Sequence, residues 1–285
     1  MTIRDEAPLT VICQTHGRAA ILTTGGATVW PERGDVALTR GTEHYVFADD
    51  PGTPPMIVIN LGQRCTTLSG DDLRFEMSQG VRTWGNSDSG ACRSVIGAYE
   101  GRSAVGARLL AALPPVTVLR AAEWDSHLVR LLSDEAGRHG PGQEAYLDRL
   151  LDLLLIAAVR AWFDRDGAAP RWWHAEDDAI VGPALKLMYN NPAHRWTIQG
   201  LAAALGCSRA AFARRFLDLV GEPPIAFLTG WRLALAADML RTGATVAAVA
   251  RQVGYGSPFA LSTAFKRAYS VSPHAHRHGE PSPAG

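Results

Sequence analysis

The chain has 285 residues, of which 47% are hydrophobic and 20% are charged, and its 28 basic residues balance 28 acidic ones. This composition is typical of a soluble globular protein with about two domains. The first ten residues contain acids and a proline, and Asp152 and Arg160 interrupt the most apolar helical run, so we expect neither a signal peptide nor a membrane span. The four cysteines lack paired spacing, which indicates a reducing cytoplasm rather than a disulfide framework.

The balanced charge conceals an asymmetry along the chain. Residues 1–182 hold 17 basic and 24 acidic residues, whereas residues 183–278 hold 11 basic and three acidic ones. A basic segment joined to an acidic one indicates a polyanion as the ligand of the basic part. Charge alone also fits a basic surface that is merely solvated.

The first hundred residues predict a small β-barrel or sandwich. Short runs with strand character are separated by turns rich in glycine, proline and aspartate, as such folds require. These runs are Thr10–His16, Asp35–Gly41, Tyr45–Asp49 and Met56–Gly62.

Helical periodicity begins after Leu119. Ala121–Arg138 places Trp124, Leu128, Leu131 and Leu132 on one face, and Glu144–Phe163 carries leucines at helical spacing. This stripe packs either on the barrel or on a second subunit. Glycine and proline in residues 164–177 predict a linker, residues 178–277 are helical in pattern, and residues 278–285 are predicted to be a disordered tail.

The helical part contains an internal repeat, in which Leu201–Pro224 aligns with Val249–Pro273. Each copy has a small residue where two helices cross, a glycine that ends the first helix, a serine that caps the second, and two core residues four apart. The matched pairs are Ala202 and Ala250, Gly206 and Gly254, Ser208 and Ser257, Phe212 and Leu261, and Phe216 and Phe265. Pro258 then falls on the first helical turn, where a missing N–H costs little. The repeat predicts two helix–turn–helix units.

These motifs, together with "PIAFLTGWRLALAADMLR" between them, resemble the DNA-binding domain of the AraC/XylS family of bacterial transcription regulators. The similarity covers residues 183–277. It implies two recognition helices that enter successive major grooves on one face of the DNA, joined by a long connecting helix of about 19 residues, or about 28 Å.

In the first recognition helix, burial of Phe212 and Phe216 leaves a basic face toward the groove. We predict base readout by Arg209, Ala210, Ala213 and Arg214, with Arg214 as the candidate for a bidentate contact to guanine. Ser208 and Arg215 are predicted phosphate contacts, and Arg209 fits a phosphate equally well.

In the second recognition helix, base readout is predicted for Phe259, Ser262 and Thr263. Ser257, Lys266 and Arg267 are predicted phosphate contacts. Phe259 either contacts a thymine methyl group or packs within the domain. Because this helix is poor in long polar side chains, we expect it to add affinity and shape fit more than base discrimination.

Within the N-terminal part, "RGDVALTRGTEHYVFADD" resembles the second conserved segment of a cupin barrel. It departs from that pattern in a shorter spacing between Gly34 and Gly41 and in Thr39, where proline is usual. "LLAALPPVTVL" is similar to the exit from the barrel in cupin-containing members of the AraC family.

We expect no metal and no cofactor. A cupin metal site needs about three histidines and a carboxylate, whereas the barrel region offers only His16 and His44. A metal-dependent cupin enzyme fused to a DNA-binding domain is therefore the weaker alternative, and we expect no enzymatic activity. A second alternative is a switch operated by oxidation of Cys13, Cys65 or Cys92. The opposing interpretation is that these cysteines are buried and inert.

The sequence thus predicts an α+β protein. It comprises a cupin-like sensor barrel in residues 1–120, a helical pair in residues 121–163 that is a candidate for dimerisation, a linker, and an all-α double helix–turn–helix domain in residues 178–277. The predicted partners are double-stranded promoter DNA, a small-molecule effector in the barrel, a second copy of the chain and, for an activator, RNA polymerase. We expect no membrane partner.

Overall fold

The computed structural model describes residues 1–80, 83–87, 89–99, 106–124, 127–138, 140–165 and 167–278. The chain divides into two compact units, one with most of the residues up to Arg165 and one with those that follow, together with the short segment Ser103–Leu109. They are called the N-terminal and the C-terminal domain below. None of the described helices is long and apolar enough to span a lipid bilayer.

The N-terminal domain is built mainly from β-strands. Its strands are β1 (Thr2–Arg4), β2 (Leu9–His16), β3 (Ala20–Thr23), β4 (Thr28–Val29), β5 (Val36–Arg40), β6 (Tyr45–Ala48), β7 (Ile57–Asn60), β8 (Arg64–Thr67), β9 (Ser78–Gly80), β10 (Thr83–Trp84), β11 (Arg93–Tyr99) and β12 (Val116–Leu119). They form a six-stranded sheet in the order β4-β3-β6-β1-β7-β8, a four-stranded sheet in the order β11-β2-β5-β12, and a two-stranded β9-β10 ribbon.

The two larger sheets share one apolar core, as the sequence pattern predicts. Ile12 on β2 and Ala37 on β5 come from the four-stranded sheet, and Ile3, Ile21 and Phe47 come from the six-stranded sheet. Because side chains alternate along a strand, β2 also presents Val11 and Cys13 to its opposite face, where they are fully buried as well. The sandwich of two sheets confirms the predicted barrel-like architecture.

Helices cover part of this domain. After the short α1 (Ala107–Ala112), α2 (His127–Ala136) and α3 (Gln143–Phe163) form the predicted helical pair, and they pack on each other and on strands of the four-stranded sheet. The first helix is shorter than predicted, because residues 121–123 form a turn and the helix begins at His127. Leu132, Leu154 and Phe163 are fully buried, so one face of the leucine stripe packs within the domain.

The C-terminal domain is entirely helical in its described part, as predicted. Its helices are α4 (Val181–Asn190), α5 (Ile198–Ala204), α6 (Arg209–Val220), α7 (Pro224–Arg241), α8 (Val246–Gln252), α9 (Pro258–Tyr269) and α10 (Pro273–Arg277). The repeat appears as equal lengths: α5 and α8 have 7 residues each, and α6 and α9 have 12 each.

Two separate hydrophobic cores support the two copies of the repeat. Phe212 and Phe216 anchor the first core, and Leu261 and Phe265 anchor the second. The connecting helix α7 has 18 residues, a length of about 27 Å, and contributes to both cores. Phe227 near its start belongs to the first core, and its later turns pack into the second.

The segment predicted as a linker contains ordered structure. Within residues 164–177, Arg171–Glu176 forms a 3-10 helix whose Ala175 is fully buried in the first core of the C-terminal domain. Gly182 on α4 lies against it so closely that a Cβ there would stand 2.1 Å from the carbonyl oxygen of Glu176. The exact limits of the linker stay a prediction, as does the disordered tail, of which residues 279–285 lie outside the described part of the chain.

Candidate nucleic-acid interface

The first helix–turn–helix consists of α5, a short turn and α6. Gly206 has a φ of 66°, in the left-handed region that glycine adopts most easily, and turns the chain after α5. The hydroxyl of Ser208 then accepts a hydrogen bond from the backbone N–H of Ala211 at 3.2 Å, which caps α6. The turn and the cap therefore lie at the predicted residues.

The second helix–turn–helix repeats this geometry in α8 and α9. Gly254 has a φ of 81°, and the hydroxyl of Ser257 accepts a hydrogen bond from the N–H of Ala260 at 3.1 Å. Pro258 occupies the first turn of α9, as predicted. Both capping serines keep their hydroxyl hydrogen available for a further acceptor, so capping is compatible with their predicted phosphate contacts.

The exposed face of α6 carries most of the predicted base-contacting residues. Arg209, Ala210 and Arg214 are exposed, and Ala213 is half-buried between them and the core. Since Phe212 and Phe216 are fully buried, helical geometry directs Ala210 and Arg214, four residues apart, to the opposite face. The guanidinium of Arg214 is thus flanked by the small side chains of Ala210 and Ala213, which allow α6 to approach base edges closely.

Arg215 lies on a flank of α6 and is already engaged. Its Nε and Nη2 donate to the carboxylate of Asp178 at 2.5–3.0 Å, and Asp178 in turn accepts the backbone N–H groups of Ile180 and Val181 at the start of α4. The hydrogen bond from Arg215, helped by these N–H groups, lowers the pKa of Asp178 to about 2. This pairing weighs against Arg215 as a phosphate ligand, a role that the sequence had favoured.

On α9 the structure separates the two interpretations of Phe259. Its side chain is 81% exposed, so it does not pack within the domain, and its contact with a thymine methyl group stays a prediction. Thr263 is exposed one turn later. Ser262 donates its hydroxyl hydrogen to the carbonyl oxygen of Pro258 at 2.8 Å, which leaves it only as an acceptor toward bases.

Basic residues continue along α9 beside a shallow groove. Lys266 and Arg267 are exposed, and Lys266 lines a groove of about 290 Å³ together with Thr263 and with Ser272 and His274 at the start of α10. Ser272 and His274 were not singled out in the sequence. The signal was present in "SVSPHAHR", where a capping serine and a histidine follow the second recognition helix.

The cysteines proposed as redox centres lie in the N-terminal domain. Cys13 is fully buried, and burial raises the pKa of its thiol to about 12. Cys65 is buried too. Its pKa is raised, chiefly by burial and to a smaller extent by the negative charge of the nearby Asp72. Cys92 is half-buried, with its Sγ 3.2 Å from Nε2 of Gln14. Reactive cysteines are exposed and have a lowered pKa, so Cys13 and Cys65 have the opposite character.

The structure offers no assembled metal site in the residues it describes, where no three His, Cys, Asp or Glu side chains come together. His16 and His44, the two histidines of the barrel region, lie at the end of β2 and just before β6.

Comparison with known proteins supports both domains. A family model described as "Cupin" matches residues 1–164, more than half of the chain, and one described as "Helix-turn-helix domain" matches residues 201–279. The chain is 33% identical over 220 residues to a "Putative AraC-like transcription regulator" of Streptomyces antibioticus, covering 72% of this chain and 73% of that protein.

Two further relatives agree. A "Putative AraC-like transcription regulator" of Streptomyces lividans is 30% identical over 250 residues, covering 86% of this chain and 78% of its own length. The "HTH-type transcriptional regulator AlkR" of Acinetobacter baylyi is 32% identical over 180 residues, covering 61% of this chain and 59% of its own. The chain belongs to the AraC family of transcription regulators, with an N-terminal cupin domain and a C-terminal helix–turn–helix DNA-binding domain.

Proposed function

We propose that the protein binds promoter DNA with α6 as the helix that discriminates bases and α9 as the helix that adds affinity. The observation that carries this assignment is the difference between the two exposed faces. The exposed residues of α6 include Arg209 and Arg214, whose planar guanidinium groups match the O6 and N7 acceptors of guanine. The face of α9 presents Phe259 and Thr263, which offer apolar contact and one hydroxyl.

Phosphate contacts would position both helices on the duplex. Lys266 and Arg267 are exposed on the later turns of α9, and Ser208 and Ser257 stand at the N-termini of the two recognition helices, where backbone N–H groups favour an anion. We add Ser272 and His274, because they line the groove beside Lys266. These groups carry no base information and set register and salt dependence.

Substitution of Arg214 tests the assignment. The full chain is used to select its preferred sites from random duplexes, and the Arg214→Ala variant is then compared on the selected site and on single-base variants of it. The variant should lose about 1–3 kcal/mol of discrimination at one G·C pair and keep discrimination elsewhere. As a control, Arg130→Ala changes an exposed arginine on α2 and should alter nothing. Equal loss on all duplexes would instead make Arg214 a phosphate contact.

The N-terminal domain is proposed to bind a small-molecule effector and to change DNA occupancy by shifting the population of conformations. Support comes from the cupin family match and from polar side chains among the sandwich strands, where the buried Thr10 and Thr39 are paired across β2 and β5. To test this, the operator affinity of dialysed protein is measured with and without the low-molecular-weight fraction of a host-cell extract. Unchanged affinity over a range of growth conditions would refute effector control.

Dimerisation is proposed through the helical pair. Leu131 on α2 is 48% exposed, and Leu153 and Ile156, which lie on α3 outside its buried leucine stripe, are 50% and 56% exposed, so the helical pair presents apolar side chains that the domain does not cover. Leu153→Asp should convert a dimer to a monomer in sedimentation, whereas Phe75→Asp, at an exposed apolar residue outside the helical pair, should not. If the protein activates transcription, RNA polymerase becomes a further partner.

We infer that the protein works in the cytoplasm, where its DNA lies, and without catalysis of its own. Metal analysis of the purified full chain tests the enzymatic alternative, which stoichiometric, tightly bound metal would restore.

A further inference from the structure

The relative position of the two recognition helices depends on a contact between the two halves of the DNA-binding domain. The two hydrophobic cores are separate, and among the described helices α7 alone belongs to both. The first half is the part of the domain around α4–α6, and the second half is the part around α8 and α9. A single connecting helix would not by itself fix the orientation of one half relative to the other. A second connection is made by residues 191–196, called the bridging loop here, which lead from α4 to α5 in the first half.

The bridging loop has a defined shape of its own. The indole Nε1 of Trp196 donates to the carbonyl oxygen of Asn191 at 3.1 Å, and the N–H of Trp196 donates to the carbonyl of His194 at 2.8 Å. The rings of His194 and Trp196 lie 4.1 Å apart. These contacts close the loop on itself.

Arg232, in the middle of α7, holds backbone carbonyls of the bridging loop. Its Nε donates to the carbonyl oxygen of Pro192 at 2.6 Å, and its Nη2 donates to that of His194 at 2.7 Å. A guanidinium suits this role because it donates in two fixed directions. Burial raises the pKa of Tyr255, in the turn of the second half, and the nearby charge of Arg232 opposes the rise, so Arg232 lies near both halves.

The loop also meets the second half directly at Gly254. A Cβ on Gly254 would stand 2.6 Å from the Cα of Ala193 and 2.7 Å from its carbonyl oxygen. The matching Gly206 of the first half has a similar φ of 66°, but a Cβ added there would meet no heavy atom within 4 Å. Glycine is thus required at residue 206 by the turn alone, and at residue 254 by the turn and by close approach of the bridging loop.

We propose that the bridging loop, held by Arg232 and seated against Gly254, fixes the distance and rotation between the two recognition helices, so that the protein selects operators by the spacing of their two half-sites as well as by their bases. This inference rests on the proposed function, in which both helices contact DNA. Arg232 and Gly254 act as positioning residues, because they hold the helices without touching the duplex themselves.

Operator spacing provides the test. An operator selected from random duplexes by the full-length wild type is compared with versions that have one base pair added or removed between the half-sites. Each such change moves one half-site by about 3.4 Å and rotates it by about 34–36°. The wild type should bind the altered duplexes at least about tenfold more weakly, because it cannot engage both half-sites at once.

Three variants distinguish positioning from general stability. Arg232→Gln and Gly254→Ala should reduce the spacing penalty to less than about threefold, whereas Gly206→Ala, with the same backbone cost, should keep the wild-type penalty. Circular dichroism identifies a variant that fails to fold. If either Arg232→Gln or Gly254→Ala fails, the other variant carries the test. A wild type that tolerates altered spacing, or variants that keep the full penalty, would overturn the inference while leaving the proposed function intact. If the wild type selects no duplex at all, the proposed function fails, and the inference fails with it.

Discussion

Replacement of Asp178 by asparagine should loosen the first recognition helix. The amide oxygen of asparagine can still accept the N–H groups of Ile180 and Val181, so the change removes chiefly the ion pair with Arg215. The pKa of Asp178 falls from 3.8 to about 2, which corresponds to about 2.4 kcal/mol of stabilisation. Because the Arg215 side chain is 53% exposed, solvent screening reduces the expected loss to about 1–2 kcal/mol.

The sign of the pH dependence follows from the lowered pKa. The folded protein holds the carboxylate ionised more strongly than the unfolded chain does, so the stabilisation is fully present above about pH 4. It disappears as the pH falls from about 4 to about 2. The difference between wild type and Asp178→Asn should therefore be largest near neutral pH.

Hydrogen exchange with mass spectrometry measures this loss locally. At pH 7, amides of α4 and α6 should exchange about 5–30-fold faster in Asp178→Asn than in the wild type, as 1–2 kcal/mol requires. Asp177→Asn, which removes the exposed neighbouring carboxylate, should change exchange by less than about twofold. The reasoning is refuted if Asp178→Asn behaves like Asp177→Asn, or if Arg215→Met accelerates exchange as much in the Asp178→Asn background as in the wild type.

Further predictions concern DNA and the thiols. Lys266→Ala should reduce the slope of log affinity against log salt concentration by about 0.9. Arg215→Ala should leave this slope unchanged, because Arg215 is paired with Asp178. Equal slopes for the two variants would contradict the assignment of Lys266 as a phosphate contact. Replacing thymine by uracil at one operator position should weaken the wild type but not Phe259→Ala, as measured by fluorescence anisotropy; equal weakening would place Phe259 away from a methyl group. Cys13 should resist iodoacetamide at pH 7, since its pKa is about 12, and Cys13→Ser should respond to hypochlorite as the wild type does; rapid labelling would contradict the buried thiol.

The elements that the sequence predicted well are those determined by local chemistry. Gly206, Ser208 and Pro258 each have a short-range reason for their position: a positive φ, a hydroxyl cap and a missing N–H. The order of helices in the DNA-binding domain, and the burial of Phe212 and Phe265, follow from these signals and from helical period. The same logic located the main strands of the N-terminal domain.

Contacts between residues distant in the sequence were not predictable. Nothing near Arg215 in the sequence shows that its guanidinium would pair with Asp178, 37 residues earlier. Gly254 looked like a repeat of Gly206, and only the position of Ala193 shows that its missing Cβ also makes room for a loop. Ala175 falls in the segment predicted as a linker, because a single buried alanine gives no periodic signal.

The central claim is that the two recognition helices occupy two major grooves of a specific duplex. A hydroxyl-radical footprint of the full chain on its selected operator, at near-physiological salt, tests it most directly. The account predicts two protected patches on one face of the DNA, one helical turn apart, with guanine N7 methylation blocking binding chiefly in the half-site that α6 contacts. A single protected patch, or methylation that interferes only in the half-site of α9, would contradict it.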